Sequence, residues 1–240
     1  MSKNRISFLS IILLFCLFLK PAYGQESCTC STELKFLHKK IKKTPSYKQN
    51  KKTFKEIFTE TSIKAEKLES EYDCFVLLNK LLLGLNDNHC KIFGLDNGAT
   101  AEILKDPVKI TEFKNSELNL LYPRPNLDLD SLENISLSKT YDDIEGIYIK
   151  KGYLTVAVYK SLTDYIAIVL DSEKDVWEPG EVLYTLVPYG KNYILSIGGD
   201  IASKRLIAYP ERIENGLFLT MGLQKDLSKT NFTLSLYPDS

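Results

Sequence analysis

The sequence predicts an α+β fold, an N-terminal three-helix unit followed by an antiparallel β-meander curled into a barrel or a sandwich. Three observations predict it. Up to Leu85 the apolar residues recur at intervals of three and four, the helical period. From Asp142 they alternate every second residue, in short runs separated by turn residues. The four cysteines beyond residue 24, Cys28, Cys30, Cys74 and Cys90, all fall in the first part, where they staple the ends of the helical unit.

Residues 1–24 read as a signal peptide. Lys3 and Arg5 supply the charged start, Ile6 to Leu19 the apolar stretch, and Ala22-Tyr23-Gly24 the small residues of a cleavage site. The apolar stretch is too short for a comfortable span, and Phe15 is too bulky to precede a lipid-accepting Cys16. No second long apolar run follows. The chain is therefore expected to be exported, periplasmic or extracellular, with no stable membrane span. Residues 1–24 hold three of the 31 basic residues and no acid, which leaves 28 basic against 31 acidic ones, a net charge of about −3. That balance gives no overall electrostatic case for nucleic acid or a membrane surface.

Residues 25–92 form the expected disulfide-stapled helical domain. A helix over 31–43 is capped by Ser31 or Thr32 and turns Leu34, Phe36, Leu37 and Ile41 to one side. Thr44-Pro45-Ser46 breaks it. A longer helix over 47–70 carries the stripe Phe54, Phe58, Thr61, Ala65, Leu68. Its lysines, with those of the first helix, make this third of the chain basic. They form either a solvated face or a docking surface for an acidic partner or an anionic envelope. The third helix, Tyr72 to Leu85, is apolar nearly all round and so is central. Asn86-Asp87-Asn88 ends it.

Residues 93–141 read as a linker packed on both halves, with a helical turn at Ala101 to Lys105 and an extended Tyr122-Pro123-Arg124-Pro125. Residues 142–240 form the β domain. Strands are expected at Ile144–Lys150, Tyr153–Lys160, Tyr165–Asp171, Glu181–Pro188, Asn192–Ile197, Arg205–Tyr209, Gly216–Leu223 and Phe232–Tyr237. Eight short strands at this spacing form a meander.

Export puts an even number of cysteines in an oxidising compartment, so two disulfides are expected. Cys28 and Cys30 are too close in an extended chain to bridge each other. They are tied to Cys74 and Cys90 in an order the sequence leaves open. A metal site on Cys28, Cys30, His89 and Cys90 lacks the paired spacing of zinc ligands, so no metal and no cofactor is expected. Asp87, His89 and Cys90 are the one local meeting of carboxylate, imidazole and thiol. With Cys90 in a disulfide no nucleophile is left, so Asp87 and His89 read as structural residues of the junction. Ser196-Ile197-Gly198-Gly199-Asp200 lacks the strand–serine–helix context of a nucleophile elbow. Phosphate loops, His-Glu-x-x-His and EF-hand loops are missing.

Three features resemble the front of a known family: Cys28-Thr29-Cys30 just after the signal, the apolar helix opening with Asp73-Cys74, and its end at Asn86-Asp87-Asn88-His89. With Ile144-Glu145-Gly146-Ile147-Tyr148 and Trp177-Glu178-Pro179-Gly180-Glu181-Val182, they are similar to the N-terminal part of secreted tail-specific (C-terminal-processing) serine peptidases of Bacteroidetes type. Asn88 stands where that family usually has glycine. The resemblance implies polypeptide as the partner. The family's serine–lysine pair sits on a later α/β domain that has no counterpart in these 240 residues, so no catalytic residue is carried over. The expectation is an exported, non-catalytic accessory protein that contacts polypeptide. The alternatives are part of a serine-type peptidase completed by another chain, and a small-ligand-binding barrel.

Overall fold

A computed structural model describes residues 29–87, 90–116, 119, 122–189 and 193–229. The fold is α+β: the described residues form six α-helices and an antiparallel eight-stranded closed barrel. Residues 1–24, expected as a signal peptide, together with Cys28, His89 and the expected strand Phe232–Tyr237, lie outside the described residues.

Helix α1 (Cys30–Ile41) begins at Thr29, whose hydroxyl accepts from the Thr32 amide. The long second helix expected from the stripe is instead two. Helix α2 (Pro45–Gln49) uses the Thr44-Pro45 pair as its cap and first residue, since proline lacks only an amide that would be unpaired there. Helix α3 (Lys51–Ala65) follows a bend at Asn50. The Asn50 side chain donates to Leu85 O at 2.8 Å and Ser46 O at 3.1 Å, which ties the bend to the end of the next helix. Helix α4 (Glu71–Leu83) is capped by Ser70 and is the most apolar. Phe54, Leu78, Leu81, Leu82 and Leu85 form a core with Leu34 and Ile41.

The stretch expected as a linker is structured and lies against the barrel. Asp106 caps helix α5 (Pro107–Lys114), and Asp128 caps α6 (Leu129–Leu137). The expected helical turn is a 3-10 turn, Ile103–Lys105. Residues 93–95 line the free edge of a barrel strand: Ala208 N donates to Phe93 O and Leu95 N to Leu206 O, both at 3.0 Å. Ile110, Phe113, Tyr122 and Leu132 belong to the barrel's own apolar cluster.

The strands are β1 (Gly146–Lys150), β2 (Leu154–Ser161), β3 (Asp164–Ser172), β4 (Val182–Tyr189), β5 (Tyr193–Gly199), β6 (Leu206–Glu214), β7 (Leu217–Phe218) and β8 (Leu223–Lys225). Each pairs with the next, and β8 returns to β1 through Tyr148↔Lys225 and Ile149↔Gln224. The run expected as one strand over 216–223 is split into β7 and β8. The cause is Glu211, whose buried carboxylate accepts from the Thr220 and Met221 amides and holds a turn there.

Register places Gly146, Val158, Ala167, Tyr184 and Gly198 in one row, with Tyr148, Val156 and Val169 beside it. This is the inner face. Tyr148 stacks edge-on against Phe218, and both are fully buried. Lys225 ends the inner face. Its ammonium donates to Thr140 O at 2.6 Å, Tyr141 O at 3.2 Å and Asp143 O at 2.5 Å, and sits 5.6 Å over the Tyr148 ring. On β4 every residue from Val182 to Val187 is buried, because the outer face of this strand lies under α4.

Gly198 has no space for a side chain: a Cβ there would lie 1.9 Å from Leu183 O. Gly198→Ala is expected to lower stability by about 3 kcal/mol or more, because the clash is with backbone of the neighbouring strand. Urea unfolding followed by tryptophan fluorescence measures it. Burial also pushes the Lys225 ammonium down to about 8, against the pull of Asp143, Asp142 and Glu145. Between pH 8 and the ordinary lysine value, the unfolded chain holds a proton that the folded chain has lost, so this group adds stability as pH rises. Comparing urea unfolding at neutral and mildly alkaline pH, the wild type should gain stability relative to Lys225→Met.

Candidate functional site

The first turns of α1 and α4 meet at the Cys30–Cys74 disulfide, which closes a separation of 44 residues. Each cysteine lies within the first turn of its helix, so the bridge fixes two helix N-termini side by side. Beside it opens a half-open groove of about 670 Å3. Leu68, Phe75, Leu78, Ile92 and Leu95 join the disulfide as its apolar lining. Glu33, Glu69 and Glu71 stand exposed at its rim. Glu33 and Glu71 also sit in the first turns of α1 and α4, where the helix dipole favours an acid. No lysine or arginine lines the groove among the described residues.

The other expected cysteine pair is not described, because Cys28 lies outside the described residues. Cys90, expected as a staple, carries a free thiol. It donates to Asp87 Oδ2 at 3.5 Å, and Asp87 also accepts from the Ser46 hydroxyl. Asp87 thus links the chain just past α4 to α2. Burial, and then the Asp87 charge, push the Cys90 thiol up. A nucleophilic cysteine needs the reverse, a neighbourhood that favours thiolate. His89 lies outside the described residues, so its place beside this pair is not described. Ser196 sits in the middle of β5 with no exposure, beyond the reach of a substrate. Among the described residues no group of three His, Cys, Asp or Glu side chains is placed to hold a metal, and no helix is long and apolar enough to cross a membrane.

Sequence reasoning missed a buried charge cluster between the barrel and residues 122–124. Lys204, with φ at +60°, is 3% exposed. Its ammonium bonds both Glu181 oxygens at 2.8 and 2.9 Å. It lies 5.1 Å over the Trp177 ring and 5.6 Å over Tyr122. Burial lowers its pKa, opposed by Glu181. Arg124 bridges Glu181 to the more exposed Glu178. Tyr122 donates to Lys204 O, and Trp177 Nε1 to Ile201 O, so both rings are held by backbone on the same loop. The lysine fills the aromatic cage itself, which makes the cluster a brace. The Trp-Glu-Pro-Gly-Glu run is visible in the sequence, but its partner Lys204 stands 23 residues beyond Glu181 and gives no local sign.

Replacing both Cys30 and Cys74 by alanine is expected to cost about 4 kcal/mol, the loop-closure entropy of a crosslink across this separation. Thermal melting with and without reductant checks it, and the double variant should be insensitive to reductant. Lys204→Met leaves the buried Glu181 carboxylate with the Glu178 amide and, as a counter-charge, only the more distant Arg124, at an expected cost of about 3 kcal/mol by denaturant unfolding.

No protein-family model, no curated protein and no solved structure matches this chain.

Proposed function

We propose that this chain is an exported, non-catalytic binding protein that holds a polypeptide segment in the groove beside the Cys30–Cys74 disulfide. The groove carries the reading. Its volume falls in the range of ligand sites, it is lined largely by apolar side chains, and it is open to solvent. The carboxylates of Glu33, Glu69 and Glu71 favour a segment in which an apolar side chain is flanked by lysine or arginine. The rigid crosslink below the groove lowers the ordering cost of binding.

The resemblance to the front of tail-specific peptidases fits a role in presenting polypeptide to a partner that cuts it. The signal-like start and the disulfide fit export. The small-ligand alternative has less support. Tyr148, Tyr184 and Phe218, all buried, fill the inner face with the barrel's own side chains.

An array of short peptides spanning unfolded proteins tests this reading. Saturable binding is expected, with selection for a large apolar residue beside basic ones. Glu33→Arg with Glu71→Arg, both exposed, should weaken it about tenfold, the scale of two lost rim charges near a partly desolvated site. An array with no saturable spot sinks the proposal. So does covalent labelling of any serine by a fluorophosphonate, which would make the chain an enzyme.

A further inference from the structure

The net charge of the chain hides a sharp local excess. Between Glu33 and Glu56 lie nine lysines and no acid: Lys35, Lys39, Lys40, Lys42, Lys43, Lys48, Lys51, Lys52 and Lys55. All nine are exposed, and among the described residues none forms an ion pair. The fold gathers most of them at one corner. His38 of α1 stacks 3.9 Å from Phe58 of α3 and 6.0 Å from Tyr47 of α2, so α1 and α3 lie alongside each other with α2 at the bend. The end of α1, all of α2 and the start of α3 therefore share that corner. Asp87, bonded to Ser46, is an acid that reaches it from another element.

A merely solvated face mixes both signs. Here α3 opens with Lys51 and Lys52 and no acid in its first turn, the wrong sign for a helix N-terminus. The fold gains nothing from that arrangement. Phe36 adds a second observation. It is 58% exposed on the outer side of α1, with Lys40 one turn on, its ammonium 5.1 Å over the ring. Lys43 follows in the turn just past the end of α1. An exposed aromatic ring under a lysine, beside further exposed lysines, pairs the apolar and basic side chains that meet a lipid headgroup layer.

We infer that the α1–α2–α3 corner docks this protein reversibly on an anionic phospholipid surface, with the lysines over the headgroups and Phe36 among them. This does not depend on the groove binding polypeptide. Co-sedimentation of the full chain with phosphatidylcholine vesicles, with and without a minority of phosphatidylglycerol, tests it at low and physiological ionic strength. Binding is expected to the anionic vesicles alone and to weaken with salt. The variant Lys39→Glu, Lys43→Glu, Lys48→Glu, Lys52→Glu should bind at least about a hundredfold more weakly, since each lysine near such a surface contributes about fivefold. The variant Lys105→Glu, Lys109→Glu, Lys151→Glu, Lys160→Glu has the same net charge and should keep most of the binding. Phe36→Ser should weaken it several-fold without changing the salt dependence. If the corner variant does not fold, the Phe36→Ser and salt comparisons still decide. Failure to pellet with anionic vesicles at low salt overturns the inference, as does equal loss in both four-lysine variants. Polyglutamate binding as tight as vesicle binding, with Phe36→Ser silent, would make the partner an acidic polypeptide and overturn it too.

Discussion

Tyr72 joins the helical part to the barrel, and the placement of everything around it depends on that contact. It comes from the first turn of α4, the helix buried on most sides. Its hydroxyl bonds Thr185 Oγ1 at 3.0 Å and Ile197 O at 3.3 Å, on β4 and β5. Its ring meets Tyr122 edge-on at 5.5 Å, and Tyr122 meets Trp177 at 5.0 Å. A row of three aromatic rings therefore runs from α4 across residue 122 to the β3–β4 connection. Burial pushes the Tyr72 and Tyr122 hydroxyls well above their ordinary values, so both remain donors at any physiological pH. Towards the other end of α4, Lys80 pairs with Asp164 at 2.6 Å, which pins the helix to the β2–β3 turn. That pair is part-exposed and contributes little beside the buried aromatic contacts.

The same contact explains which parts of the fold are legible in the sequence. Period-two alternation marks a strand because one face is wet, and that signal places β2 and β3 within a residue or two. Helix α4 is legible for the opposite reason, since its lack of a polar side shows that it is central. The division at Asn50 is not legible. The stripe from Phe54 to Leu68 has the right spacing, and what interrupts the helix is a side chain reaching Leu85, 35 residues away. The split of β7 from β8 likewise depends on Glu211, which bonds amides nine and ten residues on. The stretch 93–141 resembles a linker in sequence because its apolar residues keep neither the helical nor the strand period over a long run. They pack on the barrel surface, where isolated side chains such as Ile110 and Phe113 suffice.

The candidate site is legible in its parts and not in its assembly. Cys30 and Cys74 both read as staples, yet the sequence leaves their partners open. The groove exists because that bridge brings two helix starts together, and Ile92 and Leu95 reach it from the chain beyond the junction. Cys90 shows the limit of counting. Parity argues for a second bridge, whereas its thiol is bonded to Asp87 in surroundings that disfavour thiolate. The carboxylate and the thiol do meet at the end of α4, as their proximity in sequence implies. There Asp87 accepts from both the Cys90 thiol and the Ser46 hydroxyl.

Helix α1 separates the two surfaces that face outward. Its first turn, at Cys30, borders the groove, and its last turn, at Ile41, enters the lysine corner. Twelve residues of helix span about 18 Å. That exceeds the screening length of about 10 Å at 0.1 M salt. The positive corner therefore does not cancel the acidic rim of the groove, and a segment with basic residues meets the rim's own field. Opposite charges at the two ends of one short helix would attract each other and gain stability if they were interleaved at three- and four-residue spacing. Glu33 stands three residues from Phe36 and two from Lys35, and the next acid is Glu56 on another helix, so α1 forgoes that gain. That segregation keeps the acidic start of α1 and its basic end apart.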